Sequence, residues 1–256
     1  MNFKIREENG FKYIEEGEGE VLLLLHGLMG ALSNWDTVIS RFSKDFKVII
    51  PMLPIYDMPL LTTGVKTLAK FVNKFVEHKG IDKFTVLGNS LGGHIALVYV
   101  LLHPEHIQSM VLTGSSGLYE NAMGASFPRR ESYEYIKEKV EYTFYDPKTA
   151  TKELVDEVFA AVNNRNHVIK ILAMAKSAMR HNMEKELHKI TVPVSLIWGT
   201  DDRVTPPEVA KEFHRLLPDS ELKWIEKCGH APMMEQPEEF NSHVENFLKR
   251  VYNKQI

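Results

Sequence analysis

The sequence predicts an α/β fold: a mostly parallel sheet with helices on both faces and a block of helices inserted between two of its strands. Three observations predict it. Short apolar runs that stop at Gly or Pro recur along the chain, as strands buried on both faces do. Segments with apolar residues at helical spacing alternate with them. One long stretch, from Leu118 to Lys189, breaks the alternation and holds helical patterns only.

Taken in order, Phe3 to Glu8 and Phe11 to Glu15 alternate apolar and polar residues around Asn9-Gly10, a strong hairpin signal. "VLLLLHG" is the first continuous apolar run. "FKVIIP" (46–51), "KFTVLG" (83–88), "IQSMVLTG" (107–114) and "VPVSLIWG" (192–199) repeat its form, and "SELKWIE" (220–226) adds a further strand. Leu68, Phe71, Val72, Phe75 and Val76 mark one helix, and the apolar run Ile95 to Leu102 a second. Val209, Phe213, Leu216 and Leu217 mark a third, and Phe240, Val244, Phe247 and Leu248 the last. The inserted block shows helical segments at 133–140, 151–162 and 167–180. The spacing therefore predicts a core of residues 1–117 and 190–256 with a helical cap, 118–189, over one edge of the sheet. No repeat, low-complexity tract or flexible linker interrupts this plan.

Composition narrows the function classes. At 256 residues, 44% hydrophobic and 25% charged, the chain can bury one large core without disulfides or metals. A net charge of −3, with no basic run, gives no basis for nucleic-acid binding. No apolar run approaches the ~20 residues that span a bilayer, and "MNFKIREENG" has no apolar stretch behind its charges. A single cysteine, Cys228, forms no internal disulfide and fits a reducing compartment. The expectation is a cytoplasmic protein acting on a small molecule, with no membrane or nucleic-acid partner. Its oligomeric state is open.

"GNSLGG" (88–93) is the chemically pointed stretch. Gly-x-Ser-x-Gly alone arises by chance in about one chain in ten of this length. Its setting, with a strand before and a helix after, is that of a nucleophile elbow. There Ser90 sits in a strained turn with its hydroxyl aimed away from the sheet. The helix beginning at Leu91 offers free N–H groups and its positive dipole end. A serine hydroxyl needs a base and a group to orient that base. After a later strand, "LIWGTDDRVTPPEVA" offers Asp201 and Asp202. After the next, "WIEKCGHAPMMEQPEEF" offers His230. All three positions follow carboxyl ends of predicted strands, where open α/β sheets place their sites.

With these residues in place the chain resembles the α/β-hydrolase superfamily, in particular its capped serine hydrolases. The motifs that carry the resemblance are "HGLMGALSNW" (26–35), "GNSLGG", "WGTDDRVTP" (198–206) and "CGHAPMMEQPEEF" (228–240). They span the whole chain outside the inserted block. The resemblance implies that Asp202 rather than Asp201 is the acid of a Ser90–Asp202–His230 triad. It also implies that the N–H of Leu28 joins that of Leu91 in an oxyanion hole, and that the chemistry needs no cofactor. Serine at the elbow, in place of a carboxylate, argues against epoxide and carbon–halogen chemistry.

Substrate class is read from departures and from the inserted block. "GNSLGG" and "LTGSSGLYE" (112–120) resemble the meta-cleavage-product hydrolases, which cut carbon–carbon bonds in dienoate diketones. Those relatives have a longer Gly-Pro-rich oxyanion loop and a tryptophan after the histidine. Here "HGLMGAL" is short and Ala231 follows His230. A carboxylate-binding arginine is also required, and Arg165 or Arg180 serves only if it points inward. The loop "MLPIYDM" (52–58) lacks the acid and two glycines usual in relatives. Met123, Phe127, Phe159 and Met174 in the block, with Met233 just past His230, are the expected apolar substrate contacts. Cleavage of a small apolar ester through an acyl-serine leads, and carbon–carbon hydrolysis follows. A ligand-binding or signalling protein with a slow triad is the alternative of another class. Elsewhere, His103 and His106 flank Pro104 without an evident acidic third ligand, so no metal site is expected. Gly17-Glu18-Gly19 lacks a dinucleotide loop's third glycine. Cys228 and His94 are expected to pack, and His26 to hold the backbone of the loop it precedes.

Overall fold

A computed structural model describes residues 3–30, 34–121 and 127–253. Its eight strands form one sheet: β1 (Ile5–Glu8), β2 (Phe11–Glu16), β3 (Val21–Leu25), β4 (Lys47–Pro51), β5 (Phe84–Asn89), β6 (Ile107–Thr113), β7 (Val194–Gly199) and β8 (Ser220–Ile225). Their order across the sheet is β1-β2-β4-β3-β5-β6-β7-β8. The first hairpin turns through Asn9 and Gly10, at φ 49° and 80°. Positive φ at both positions is what a type I′ turn demands. β2 then pairs antiparallel with β4, and the strands from β4 to β8 run parallel.

The continuous apolar runs are explained by two covered faces. Leu23 and Leu25 belong to a core shared with helices α2 (Val65–Lys79), α3 (Leu91–Leu102) and α7 (Pro207–Leu216). Leu22 and Leu24 point the other way, into a core with α1 (Asp36–Phe42) and α9 (Pro237–Tyr252). Helix α3 is apolar all round because it is walled in on all sides, as a central core helix is.

Between β6 and β7 lie α4 (Tyr133–Glu141), α5 (Lys152–Asn163) and α6 (Arg165–Arg180). Each starts on a side-chain cap: Ser132 accepts from the Tyr135 N–H, Thr151 from that of Leu154, and Asn164 from those of Asn166 and His167. Each buries one face, for example Leu154, Val155, Val158 and Val162 on α5. The block is held to the sheet layer by side chains. Val65 N–H donates to Ser177 Oγ at 3.3 Å, the rings of Tyr56 and His167 stack at 4.2 Å, and Lys170 reaches the Met58 carbonyl. Two short helices, α1 and α8 (Pro232–Glu235), have no counterpart in the sequence reading. Among the described residues no helix is long and apolar enough to cross a membrane.

Candidate active site

β5 ends at Asn89 and α3 starts at Leu91, so Ser90 alone makes the turn, at φ 55° and ψ −120°. For a side chain with a Cβ this backbone costs about 1–3 kcal/mol, and the surroundings must hold it. They do so through three backbone bonds. Ser90 N–H donates to the Thr113 carbonyl, and the Ser90 carbonyl accepts from the N–H groups of His94 and Ser116. The flanking glycines are obligatory for close approach. A Cβ on Gly92 would lie 2.0 Å from the Leu25 carbonyl oxygen, and one on Gly88 2.6 Å from the Gly92 backbone.

Asp202 lies in the loop after β7, buried, with its charge fully engaged. Oδ1 accepts from the N–H groups of Val204 and Thr205 at 2.8 and 2.9 Å. Oδ2 accepts from Thr205 Oγ1 at 2.8 Å and faces His230 Nδ1 at 2.9 Å. Among the described residues the carboxylate of Asp201, its half-exposed neighbour, takes only the Thr200 hydroxyl, at 2.8 Å. His230 is buried, and among the described residues its Nε2 has no hydrogen-bond partner. With the carboxylate on Nδ1, the proton sits there and Nε2 carries a bare lone pair. Burial by itself would lower the pKa of His230. The charge and hydrogen bond of Asp202, helped by Glu120 and Glu235, outweigh burial and raise it.

The histidine loop is pinned from several sides. His230 N–H donates to the Thr143 carbonyl at 2.9 Å, and Asn89 Nδ2 donates to the His230 carbonyl at 3.1 Å. Glu235, on α8, accepts from the N–H groups of Gly229, Tyr145 and Asp146. His26 Nδ1–H donates to the Gly27 carbonyl at 2.8 Å, and its Nε2 accepts from Leu53 N–H at 3.1 Å. That second bond ties the unusual "MLPIYDM" loop to the loop carrying Leu28. Burial lowers the pKa of His26, consistent with a neutral ring.

Ser90, His230, Leu28 and Leu91 all line one cavity of about 860 Å³, its open mouth included. Its walls are mostly apolar. Phe127 and Met174 line it as expected, with Met179 of the same methionine-rich stretch, joined by Met29, Val140, Val158, Ala175 and Ala178, which sequence reasoning did not single out. Four expected contacts are corrected. Phe159 turns toward Tyr133, ring centroids 5.3 Å apart, within the inserted helices. Met233 is 1% exposed and packs in the core behind the site. Arg165 and Arg180 stand at the two ends of α6, exposed and off the cavity wall, where water solvates their charge. Met123 lies outside the described residues. The wall also holds Glu120, Asn121 and Lys139. Glu120 ends the quoted "LTGSSGLYE", but a lone carboxylate in a loop gives no sequence signal.

The other flagged residues have structural surroundings. Cys228 is buried, and burial raises its thiol pKa. His94 is buried, with Nε2 3.0 Å from His181 Nδ1, and burial takes its pKa down to about 3. Near His103 and His106 an acidic group does stand: Glu105 comes within 3.6 and 4.0 Å of their ring nitrogens.

A parallel sheet with an elbow serine at its centre and an acid–histidine pair beyond later strands defines the α/β-fold hydrolases as a class. The chain matches the family model described as alpha/beta hydrolase fold over residues 20–153 and 162–237, and it belongs to that family. It is 48% identical to an α/β hydrolase enzyme from the metagenome of sediments of the Mar Chica lagoon, Morocco. That match covers 96% of this chain and 98% of the other, with a TM-score of 0.80. It is 27% identical to a 2-hydroxy-6-oxononadienedioate/2-hydroxy-6-oxononatrienedioate hydrolase of a Pseudomonas species, over 95% of this chain and 94% of the relative. A 2-hydroxy-6-oxo-6-phenylhexa-2,4-dienoate hydrolase of Comamonas testosteroni is also 27% identical, with 93% and 91% covered. The protein is a hydrolase of the α/β fold.

Proposed function

We propose that the protein is a serine hydrolase that cleaves a small, largely apolar carboxylic ester through an acyl-enzyme at Ser90. The observation that carries this reading is His230: Nδ1 is held by Asp202 at 2.9 Å, and Nε2, unpartnered among the described residues, stands in the wall of the cavity that Ser90 also lines. Ser90 Oγ attacks the substrate carbonyl as its proton passes to His230 Nε2, and Asp202 steadies the resulting imidazolium. The N–H groups of Leu28 and Leu91 receive the oxyanion, at about 3 kcal/mol per donor in comparable sites. His230 then gives its proton to the leaving alcohol. A water deprotonated by the same nitrogen attacks the acyl carbon, releasing the acid and restoring Ser90.

A second reading has its own support. Two relatives at 27% identity are named as hydrolases of dienoate and dienedioate compounds, and the same machinery can cleave a carbon–carbon bond beside a carbonyl. Against it for this chain stand the exposed positions of Arg165 and Arg180 and the carboxyl of Glu120 on the cavity wall. One plate separates the two: nitrophenyl esters of rising acyl length beside a dienoate ring-cleavage product. Under the ester reading kcat/KM rises with each methylene by up to about 0.8 kcal/mol of burial, then falls when the cavity is full. A flat ester profile at background with turnover of the dienoate would overturn the ester reading. Stoichiometric labelling without turnover of either would favour a binding protein.

A further inference from the structure

Most of the cavity wall suits an uncharged apolar substrate, yet Glu120 places a carboxyl in it. Its position is built, not incidental. Glu120 Oε2 accepts from Ser116 Oγ at 2.6 Å, and the N–H of the same Ser116 donates to the Ser90 carbonyl at 3.1 Å. The carboxyl is therefore one residue removed from the backbone of the nucleophile. The next residue locks the loop from the other side. Asn121 N–H donates to the Val204 carbonyl and its Nδ2 to the Arg203 carbonyl, both at 2.7 Å. That ties Glu120 to the loop carrying Asp202.

The charged neighbours are few. His230 acts on Glu120 electrostatically. Lys139 lines the same cavity, with its ammonium 5.6 Å from the centroid of the Tyr135 ring. Burial pushes the Glu120 carboxyl up, against the pull of Ser116 and His230. An anion entering this cavity must either face the Glu120 charge in a poorly solvated space or force a proton onto it. Both routes penalise anions.

We propose that Glu120 sets the charge of the substrate: the site admits neutral or cationic acyl groups and rejects those that carry a carboxylate. The proposal rests on the ester reading for its substrates, but its test does not depend on turnover. The pair to compare is 4-nitrophenyl pentanoate and the mono-4-nitrophenyl ester of glutaric acid, equal in chain length and differing in a terminal carboxylate. The wild type should favour the neutral ester in kcat/KM by a hundredfold or more. Glu120→Gln, which keeps an acceptor for Ser116, should shrink that ratio at least tenfold. Binding of methyl pentanoate and monomethyl glutarate to the Ser90→Ala protein, read by calorimetry, should show the same preference, and Ser90→Ala/Glu120→Gln should lose it.

A ratio unchanged by Glu120→Gln overturns the proposal. So does a wild-type preference for the charged ester that vanishes in Lys139→Met. If neither nitrophenyl ester is hydrolysed the ester reading falls, while the calorimetric ratio still decides the role of Glu120. A Glu120→Gln chain that does not fold leaves the Ser90→Ala comparison, where equal affinity for the two methyl esters is the refuting result.

Discussion

The sheet and the inserted helices contribute differently to one cavity. Ser90, Asp202 and His230 each follow the carboxyl end of a parallel strand: β5, β7 and β8. The first two of these strands are buried along their whole length. The helices α4 to α6 bury one face each and supply wall: Val140, Val158, Met174, Ala175 and Ala178. Under the proposed mechanism the sheet fixes where reacting atoms stand, and the helices fix what reaches them. At His230 the two meet through backbone, where Thr143 and the Tyr145–Asp146 amides grip the histidine loop directly or through Glu235, and Asn121 N–H to the Val204 carbonyl joins them again at the Asp202 loop.

Substitutions can break this division, and the sheet side should give the largest effects. Ser90→Ala should remove on the order of 10⁶-fold in kcat, as loss of an elbow nucleophile does elsewhere, and abolish fluorophosphonate labelling. Full-strength labelling at another residue of the mutant would end the assignment. Asp202→Asn should cost about 10⁴-fold through the wrong histidine tautomer, and Asp201→Asn less than tenfold. Measured kcat for both decides the register.

At the meeting point the effect should be intermediate. Glu235→Ala strips three backbone N–H groups of their acceptor, each worth about 1–3 kcal/mol if left unpaired. We expect roughly a tenfold loss in kcat and a lower Tm, against a far smaller change for an exposed carboxylate such as Glu134. On the helix side Met174→Ala should destabilise by about 2–3 kcal/mol and move the preferred acyl chain one or two carbons longer. A kcat loss as large as that of Asp202→Asn would erase the distinction between the two regions.

The smallest expected effect is a pH shift. His230 must be neutral to act, and its pKa stands above the ordinary 6.5. The acid limb of kcat/KM should therefore lie above that value, with activity lost as pH falls through it. Glu120→Gln removes one of the negative charges that raise His230 and should move the limb to lower pH. Movement in the other direction would contradict the electrostatics described.

The sheet was legible because its signal is chemical and local. Val21–Leu25 is apolar throughout and Val194–Gly199 is apolar but for Ser195 since both faces are covered, and the glycine or polar residue that ends each marks the strand end. The three site positions follow from those ends. The helices α4 to α6 were legible as helical segments at 133–140, 151–162 and 167–180, but their roles were not. Helical phase tells that Phe159 and Met174 are turned inward. It does not tell that one meets Tyr133 and the other the cavity. Arg165 and Arg180 share the difficulty, since nothing in the spacing says which way a helix-end guanidinium turns. Short α1 and α8 carry too few turns for a period to show.

The parallel order of the strands also sets a timetable. Ser90 precedes His230 by 140 residues, and the inserted helices occupy much of that interval. At ~5–20 residues per second of synthesis, the elbow serine leaves the ribosome on the order of ten seconds before its base. Under the proposed mechanism a growing chain thus carries its nucleophile without the means to activate it. The helices that wall the cavity are made before the histidine that faces into it.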